Sequence, residues 1–244
     1  MAKTLKADWF TSWFDTSYYH LLYKDRDDEE AQLFMQNITT FLKLSKTSHI
    51  LDIPCGKGRH AVYLNSLGYK VTGTDLSENS ILHAQQFENK NLQFRVADMR
   101  KPLQKKYDAI FNLFTSFGYF DDDKIDIQIL TNFKNGLKEN GVAVIDFLNV
   151  NKVKNSLVEK EVKTIDNIEF HIQRKIENGF IIKEISFFVD DKNHQYTERV
   201  KFLSEQKMKN YLTAVGFSIE HTFGNYQLEP FSKTHSNRLI FVVR

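Results

Sequence analysis

A short apolar run that ends in a glycine-rich turn is the feature that most restricts how this chain of 244 residues can fold. Residues 50–61 read Ile-Leu-Asp-Ile-Pro-Cys-Gly-Lys-Gly-Arg-His-Ala, a pattern typical of a buried strand, a turn and the start of a helix. Gly56 and Gly58 lack a Cβ atom, so the backbone can adopt left-handed angles and approach a ligand at the helix N-terminus. The segment therefore predicts the first β–α unit of a parallel sheet.

Short apolar runs alternate with helical segments through the following hundred or so residues, as in βαβ units of a parallel sheet. The predicted strands are 49–53, 69–74, 92–96, 107–114 and 142–148. The predicted helices between them are 59–67, 78–87 and 124–137. Two N-terminal segments, 8–24 and 28–44, space their apolar residues as helices do, and the first is rich in aromatic residues.

The apolar pattern changes to a period of two after residue 149, most clearly in 180–189, and Asn178-Gly179 is a strong hairpin signal. We expect an antiparallel insertion there. A helix over 204–215 and a terminal hairpin of strands 217–223 and 239–243 complete the pattern. The predicted fold is α/β, with a Rossmann-like, doubly wound, seven-stranded and mostly parallel sheet. We divide the chain into an N-terminal helical lid plus the first part of the core (1–149), the antiparallel insertion (150–203) and the remainder of the core (204–244).

Composition excludes several classes of protein. The formal net charge is +2, and no long run of like charges indicates a nucleic-acid-binding arm. No apolar run approaches the roughly 18 residues that would span a bilayer, so a membrane protein is excluded. Cys55 is the single cysteine, and we expect a reducing, cytoplasmic setting. No His, Cys or Asp spacing indicates a metal site.

Acidic residues stand at the carboxyl ends of successive predicted strands. Asp52 ends the first, Asp75 ends the second, and Asp98 follows the third. Because open α/β sheets bind ligands at this edge, the three side chains should face one crevice. Asp75 lies about 20 residues after the glycines, where an acid pairs with the hydroxyls of a ribose. Asp52 is expected to anchor the glycine loop or to face an ammonium group of the ligand.

Four segments in order, 50–61, 71–77, 94–99 and 108–115, resemble the motifs of class I S-adenosylmethionine-dependent methyltransferases, of the small-molecule, methyltransferase-domain-25 type. The resemblance covers residues 50–149, with Pro54 where the family more often has glycine. It implies that S-adenosylmethionine is the cofactor and that a methyl group moves to nitrogen or oxygen of a small-molecule acceptor.

The resemblance also implies which residues contact the cofactor. Asp98 should accept a hydrogen bond from the adenine amino group and Met99 should lie against the ring, while the end of the fourth strand passes beneath the methyl group. The implied contacts are Asp52, Gly56, Gly58, Asp75, Leu76, Asp98, Met99, Asn112 and Leu113. From the lid, Tyr19 and Tyr23 are expected to shield the sulfonium with their rings, and Arg26 to pair with the cofactor carboxylate.

The acceptor pocket is expected beyond the fourth strand, beneath the antiparallel insertion. Its predicted lining is Phe114, Thr115, Ser116, Phe117 and Tyr119. The arrangement resembles methyltransferases of amino sugars and small amines, and the insertion is also a candidate interface of a homodimer. No catalytic base is assigned, since the sequence does not distinguish among His60, His171, His194, His221 and His235.

Two other functions stay open at this point. The glycine spacing followed by Asp75 also satisfies the fingerprint of an NAD(P)-dependent oxidoreductase. A protein that binds S-adenosylmethionine without catalysis would carry the same motifs. A nucleic-acid base as acceptor is disfavoured, because residues 112–115 read Asn-Leu-Phe-Thr rather than the Asp/Asn-Pro-Pro-aromatic motif of base methyltransferases.

Overall fold

A computed structural model describes residues 9–24 and 28–244 of the chain. The strands are β1 (His49–Asp52), β2 (Lys70–Asp75), β3 (Leu92–Val96), β4 (Tyr107–Asn112), β5 (Leu137–Leu148), β6 (Lys160–Ile165), β7 (Ile168–Glu177), β8 (Phe180–Val189), β9 (Lys192–Lys201), β10 (Ile219–Phe223) and β11 (Arg238–Val243). The helices are α1 (Trp9–Phe14), α2 (Ser17–Leu22), α3 (Asp28–Phe41), α4 (Arg59–Ser66), α5 (Glu78–Gln85), α6 (Asp123–Gly136), α7 (Val150–Asn155) and α8 (Glu205–Ala214). Among these described helices, none combines the length and the apolar character needed to cross a bilayer.

The central element is a seven-stranded sheet in the order β10-β11-β5-β4-β1-β2-β3. Strands β1 to β5 run parallel, and β11 pairs antiparallel with both β5 and β10. The sequence prediction of a mostly parallel, seven-stranded sheet with an antiparallel terminal pair is confirmed. The connection 224–237 between β10 and β11 is long, and it returns to the carboxyl edge of the sheet.

Successive residues of the central strands pack on opposite faces of this sheet, as the pleat requires. Ile50 and Phe111 join the apolar cluster beneath α3, α4 and α5, whereas Leu51 and Ile110 join the cluster beneath α6, α8 and the inserted sheet. Burial on both faces explains why these strands read as continuous apolar runs. The doubly wound layering follows directly from that pattern.

The predicted N-terminal helix 8–24 is instead two short helices, α1 and α2. The break lies at Asp15 and Thr16, because the Thr16 hydroxyl accepts a hydrogen bond from the Tyr19 amide and caps α2. The Asp15 carboxylate turns away to accept hydrogen bonds from Ser77 and Asn79 at the start of α5. These contacts fasten the N-terminal helices to the carboxyl edge of the sheet.

The insertion forms a four-stranded antiparallel sheet in the order β6-β7-β8-β9. Asn178 and Gly179, with φ of 51° and 78°, make the predicted hairpin turn between β7 and β8. Phe170 and Phe187 are buried on the face that packs on the core. Sequence analysis missed helix α7, which precedes the first strand of this sheet.

Candidate functional site

A cavity of about 860 Å³ lies at the carboxyl edge of the seven-stranded sheet, within the roughly 300–1,000 Å³ typical of small-molecule sites. The N-terminal helices, the loops after β1, β2 and β4, and strand β9 contribute to its walls. The predicted residues that line it are Tyr19, Tyr23, Gly56, Asp75, Leu76, Asp98, Met99, Leu113, Phe114, Thr115, Ser116 and Tyr119. Asp52, Gly58, Asn112 and Phe117 are buried or packed behind this lining. Arg26 lies outside the described residues.

The two glycines of the turn after β1 have different roles. A Cβ atom on Gly56 would meet no atom within 4 Å, and Gly56 lines the cavity, so the backbone there faces open space. A Cβ atom on Gly58 would lie 2.7 Å from the Phe94 ring, so this position admits no side chain. Both residues have positive φ, 54° and 89°. The first glycine therefore serves the cavity, and the second serves the packing of α4 on the sheet.

Asp75 joins the end of β2 to the glycine turn. Its Oδ2 accepts a hydrogen bond from the Gly56 amide at 2.7 Å, and its Oδ1 accepts one from the Ser77 amide at 2.9 Å. Burial raises the pKa of Asp75, and these amides oppose the rise. A carboxylate offers about four acceptor positions, so oxygen lone pairs remain for a ligand in the cavity. The geometry suits a group with paired hydroxyls.

Asp52 is fully buried beneath the glycine turn, and neither of its carboxylate oxygens makes a hydrogen bond of normal geometry. Burial, together with the Asp75 carboxylate, raises the pKa of Asp52 to about 8, whereas the Ala61 amide and the Arg59 guanidinium lower it. Burial and the same two carboxylates raise the pKa of the Cys55 thiol well above its usual value. An unpartnered buried acid of this kind favours a cationic ligand nearby.

The loop after β3 carries Asp98 and Met99 to the cavity. Burial tends to raise the pKa of Asp98, but hydrogen bonds from Arg100 outweigh that effect and hold it below its usual range. The Arg100 Nε lies 2.9 Å from both carboxylate oxygens. Asn132 of α6 donates to the Met99 carbonyl at 3.0 Å and so fixes the loop from behind. Sequence analysis missed this bracing residue.

The chain turns sharply after β4, where Phe114 and Thr115 both adopt positive φ, at 57° and 64°. Such angles cost non-glycine residues roughly 1–2 kcal/mol each, and here Asp146 offsets the cost. Its carboxylate accepts from the Phe114 amide and its carbonyl accepts from the Thr115 amide, both at 2.9 Å. Asn112 donates to the Ile53 carbonyl at 2.8 Å and braces β4 against β1 instead of lining the cavity. Strain held in place at a cavity wall is typical of functional sites.

Arg238 and Tyr226 complete this wall, and sequence analysis missed both. Arg238 Nε donates to Asp146 at 2.8 Å, and the Tyr226 hydroxyl donates to the same carboxylate at 3.0 Å. Arg238 also donates to the Thr115 hydroxyl at 3.0 Å. Neither residue belongs to a local motif, because Tyr226 comes from the connection between β10 and β11 and Arg238 is the first residue of β11. The return of that connection to the carboxyl edge brings Tyr226 to the site, and the pairing of β11 with β5 places Arg238 beside it.

Of the five histidines considered from the sequence, His60 lines the cavity, from α4, with its ring 5.0 Å from the Phe114 ring; His20 of α2 also lines it. Burial, aided by the Arg59 guanidinium, lowers the pKa of His60 to about 3. The imidazole is therefore neutral at physiological pH, and it is a poor proton acceptor in the absence of a ligand. His171 and His235 lie outside the cavity lining, as do His194 and His221.

An aromatic wall bounds the cavity on the side of the N-terminal helices. We use this name for Trp9, Phe10, Phe14, Tyr19, Tyr119 and Phe120, all of which line the cavity. Neighbouring rings lie 4.8–5.9 Å apart, as between Phe14 and Tyr19 or Phe10 and Tyr119. Strand β9, which packs against the N-terminal helices through Trp13 and Tyr196, contributes Glu198 and Val200 to the lining. Phe117, predicted to line this part, is instead fully buried in the core.

These features fit S-adenosylmethionine, the cofactor implied by the sequence resemblance. Open space above Gly56 admits a ligand to the backbone, and the lone pairs of Asp75 suit ribose hydroxyls. The partnerless Asp52 carboxyl beneath the turn and the aromatic faces above it suit a ligand with positive charge. Within residues 9–24 and 28–244, no group of three or more His, Cys, Asp or Glu side chains is arranged to hold a metal ion.

Comparison with known proteins gives a consistent result. A family model described as a methyltransferase domain matches residues 50–141. A putative methyltransferase of Geobacillus sp. (strain WCH70) is 25% identical and aligns with 96% of this chain and 98% of its own length. The match therefore extends beyond the motif region to nearly the whole chain.

Solved structures share the fold at low sequence identity. An S-adenosylmethionine-dependent methyltransferase from Clostridium acetobutylicum superposes with a TM-score of 0.80 at 22% identity, covering 93% of this chain and 95% of that one. CalS10, an amino pentose methyltransferase from Micromonospora echinaspora solved with the cofactor bound, gives a TM-score of 0.71 at 16% identity, covering 93% and 96%. In both cases the likeness extends over more than nine-tenths of each chain.

Proposed function

The chain belongs to the class I S-adenosylmethionine-dependent methyltransferase family, and on this premise we propose that it methylates a nitrogen or oxygen atom of a small-molecule acceptor. One observation carries the proposal: a single cavity joins the edge that holds Gly56 and Asp75 to the aromatic wall and strand β9. A cofactor and a small acceptor can therefore meet in one enclosed space.

The carboxyl edge of the sheet is the proposed cofactor half of the cavity. When bound, S-adenosylmethionine supplies an electrophilic methyl group on a sulfonium whose sulfur keeps the bonding electron pair as the methyl leaves. We propose that Asp75 binds the ribose hydroxyls. The adenine would lie against Asp98, Leu76 and Met99, and Leu113, just after β4, would lie beneath the methyl group. Asp52 lies behind the glycine turn, where a bound cation would favour its ionised form, and Gly58 acts through packing.

The acceptor half works by position rather than by a protein nucleophile. Phe114, Thr115 and Tyr119 border the cavity, and the aromatic wall displaces water from it. Holding two reactants in line can lower a barrier by about 7–11 kcal/mol without covalent catalysis. The Cys55 thiol stays protonated because its pKa is raised, so it is not a competing nucleophile.

We further propose a division of labour along the chain. Residues 1–149 supply the lid and the cofactor edge, 150–203 form a roof over the acceptor, and 204–244 complete the core. CalS10 is an amino pentose methyltransferase, which supports a small polar molecule as acceptor. The outer face of the roof is our candidate for a homodimer interface, and a reducing cytoplasm suits the free, buried Cys55.

Turnover in the presence of a panel of amines, alcohols and phenols tests the function directly. The expected result is acceptor-dependent formation of S-adenosylhomocysteine and a product heavier by one methyl group, measured by mass spectrometry. Cofactor binding without turnover across the panel would favour a non-catalytic binding protein. Thermal stabilisation by NAD(P) but not by S-adenosylmethionine would favour the oxidoreductase alternative instead.

A further inference from the structure

Glu198 is a carboxylate that strand β9 presents to the acceptor half of the cavity. It lines the cavity together with Val200, two residues along the same strand and therefore on the same face. Only 15% of its side chain is exposed. The charge is thus held in a largely enclosed space, where a carboxylate interacts more strongly with a ligand than it would in water.

Side chains remote in sequence hold Glu198 in place. Trp13 Nε1 donates to its Oε1 at 2.8 Å, and the Tyr23 hydroxyl lies 2.6 Å and 2.7 Å from its two oxygens. Lys183 Nζ is 3.8 Å from Oε2. Trp13 and Lys183 are not part of the cavity lining, so their contacts come from behind, whereas Tyr23 lines the cavity beside Glu198. Of the roughly four acceptor positions of a carboxylate, at least one remains for a donor within the cavity.

The surroundings of this carboxylate favour a cationic or N–H-bearing ligand. The aromatic wall lines the same cavity, with the Tyr19 ring 5.0 Å from the ring of Tyr23, which contacts Glu198, and ring faces attract cations. Lys24, which also lines the cavity, has its Nζ 2.6 Å from Asp166 Oδ1 and is directed to the inserted sheet. A carboxylate acceptor would meet charge repulsion at Glu198, and a hydroxyl would donate a hydrogen bond to it without the attraction between opposite charges that an ammonium group adds.

We propose that Glu198 is an acceptor-binding residue and that the acceptor is a primary or secondary amine. An N–H of the amine donates to the free lone-pair position of Glu198, and rings of the aromatic wall border the nitrogen within the same cavity. In its free-base form the nitrogen then keeps its own lone pair for bond formation. This inference rests on the proposed function, and it selects nitrogen over oxygen within it.

Binding of three matched probes to the protein loaded with S-adenosylhomocysteine tests the assignment. The probes are cyclohexylamine, cyclohexanol and cyclohexanecarboxylate, titrated by ligand-observed NMR. The wild-type protein is expected to bind the amine about tenfold more tightly than the alcohol and to bind the carboxylate most weakly. Rising salt concentration should weaken binding of the amine, whose ammonium is attracted to Glu198, and should leave binding of the uncharged alcohol unchanged.

Two variants sharpen the test. Glu198→Gln keeps the shape but removes the charge, and it should weaken amine binding about tenfold while leaving the alcohol within twofold. Glu198→Asp, which keeps the charge, should recover part of that loss. The matched control is Glu184→Gln, which removes an exposed carboxylate of β8 outside the cavity. It should change the affinity for neither the amine nor the alcohol.

The outcomes separate this inference from the proposed function. Equal affinity of the wild-type protein for amine and alcohol overturns the role of Glu198, whatever the variants do. Equal amine affinity in Glu198→Gln and Glu184→Gln overturns it as well. The dissociation constant of S-adenosylhomocysteine should be the same in all four proteins. A wild-type protein that fails to bind S-adenosylhomocysteine contradicts the proposed function, whereas one that binds it and turns over only alcohols contradicts this inference alone.

Discussion

The cofactor edge and the acceptor half of the cavity hold their carboxylates by different means. Asp75 receives two backbone amides, one of them from Gly56 only 19 residues away. Glu198 receives side-chain donors from Trp13 and Tyr23, which are 185 and 175 residues away in sequence. The first arrangement forms with a single β–α–β unit. The second requires the lid and the inserted sheet to meet.

This difference has a functional consequence. A backbone-held site changes little when neighbouring side chains are replaced, so the cofactor edge can stay constant. A side-chain-held site alters its ligand preference with few substitutions, because the lid and the inserted sheet supply the donors. We therefore expect substitutions at the cofactor edge to change stability and cofactor affinity, and those in the acceptor half to change acceptor affinity alone.

The largest expected effect contrasts one glycine from each region. Gly58→Ala places a methyl group against the buried Phe94 ring at positive φ, and it should lower the free energy of unfolding by about 3 kcal/mol. Gly179→Ala, at a hairpin turn of the inserted sheet with equally positive φ but open space, should cost only about 1 kcal/mol. Urea denaturation of both variants measures the difference. Equal losses would show that the cofactor edge is packed no more tightly than the insertion.

Asp75→Asn tests the backbone-held carboxylate. The amide cannot accept at both positions, so we expect the affinity for S-adenosylhomocysteine to fall about 100-fold, which corresponds to about 2.7 kcal/mol. Isothermal calorimetry provides the measurement, with Asp166→Asn of the inserted sheet as the matched control. A loss of affinity below about threefold would show that Asp75 does not bind the cofactor.

Asp52→Asn tests the buried acid through the pH dependence of stability. The folded-state pKa of Asp52 is about 8, above the ordinary value of 3.8, so the folded protein retains a proton that the unfolded chain releases. Stability contributed by this group is therefore present below about pH 4 and is lost as pH rises towards 8. Relative to the wild-type protein, Asp52→Asn should gain roughly 1–3 kcal/mol between about pH 5 and pH 7.5.

Comparing the two proteins at each pH cancels any constant effect of the buried amide in that experiment. Thermal or urea unfolding of the ligand-free proteins supplies the values. If the difference in unfolding free energy between them stays the same across the range, Asp52 binds equally many protons in the folded and unfolded states, and its pKa is not raised.

The cofactor edge could be predicted because its chemistry is local in sequence. Gly56 and Asp75 follow from a strand–turn–helix pattern and a fixed spacing, and both line the cavity. For neighbouring positions, it was harder to predict whether a residue faces the cavity or the core. Asn112 and Gly58 were expected at the ligand, yet the pleat turns Asn112 towards the Ile53 carbonyl and the Phe94 ring occupies the space beside Gly58.

The acceptor half could not be predicted in the same detail, because its residues meet only through tertiary structure. Glu198 lies in β9, whose mostly polar sequence is typical of an exposed strand, and no neighbouring residue in the sequence indicates a cavity. Tyr226 reaches Asp146 from the long connection before β11 and Arg238 from the first position of β11, and the backbone reversal at Phe114 depends on that same Asp146. The sequence predicts an aromatic N-terminal helical segment, but it does not predict that Glu198 of β9 is its partner.

The smallest expected effect separates the two possible roles of Tyr23. The sequence predicts that its ring shields the cofactor, whereas the structure also engages its hydroxyl with Glu198. Tyr23→Phe removes only the hydroxyl, and we expect the KM for an amine acceptor to rise about fivefold, equivalent to about 1 kcal/mol, with the Kd of S-adenosylhomocysteine within twofold. The control is Tyr69→Phe, which removes a hydroxyl at the amino edge of the sheet, directly before β2 and away from the cavity. If cofactor affinity falls as much as acceptor affinity, the two halves are coupled through the lid, and the contrast between them no longer holds at this residue.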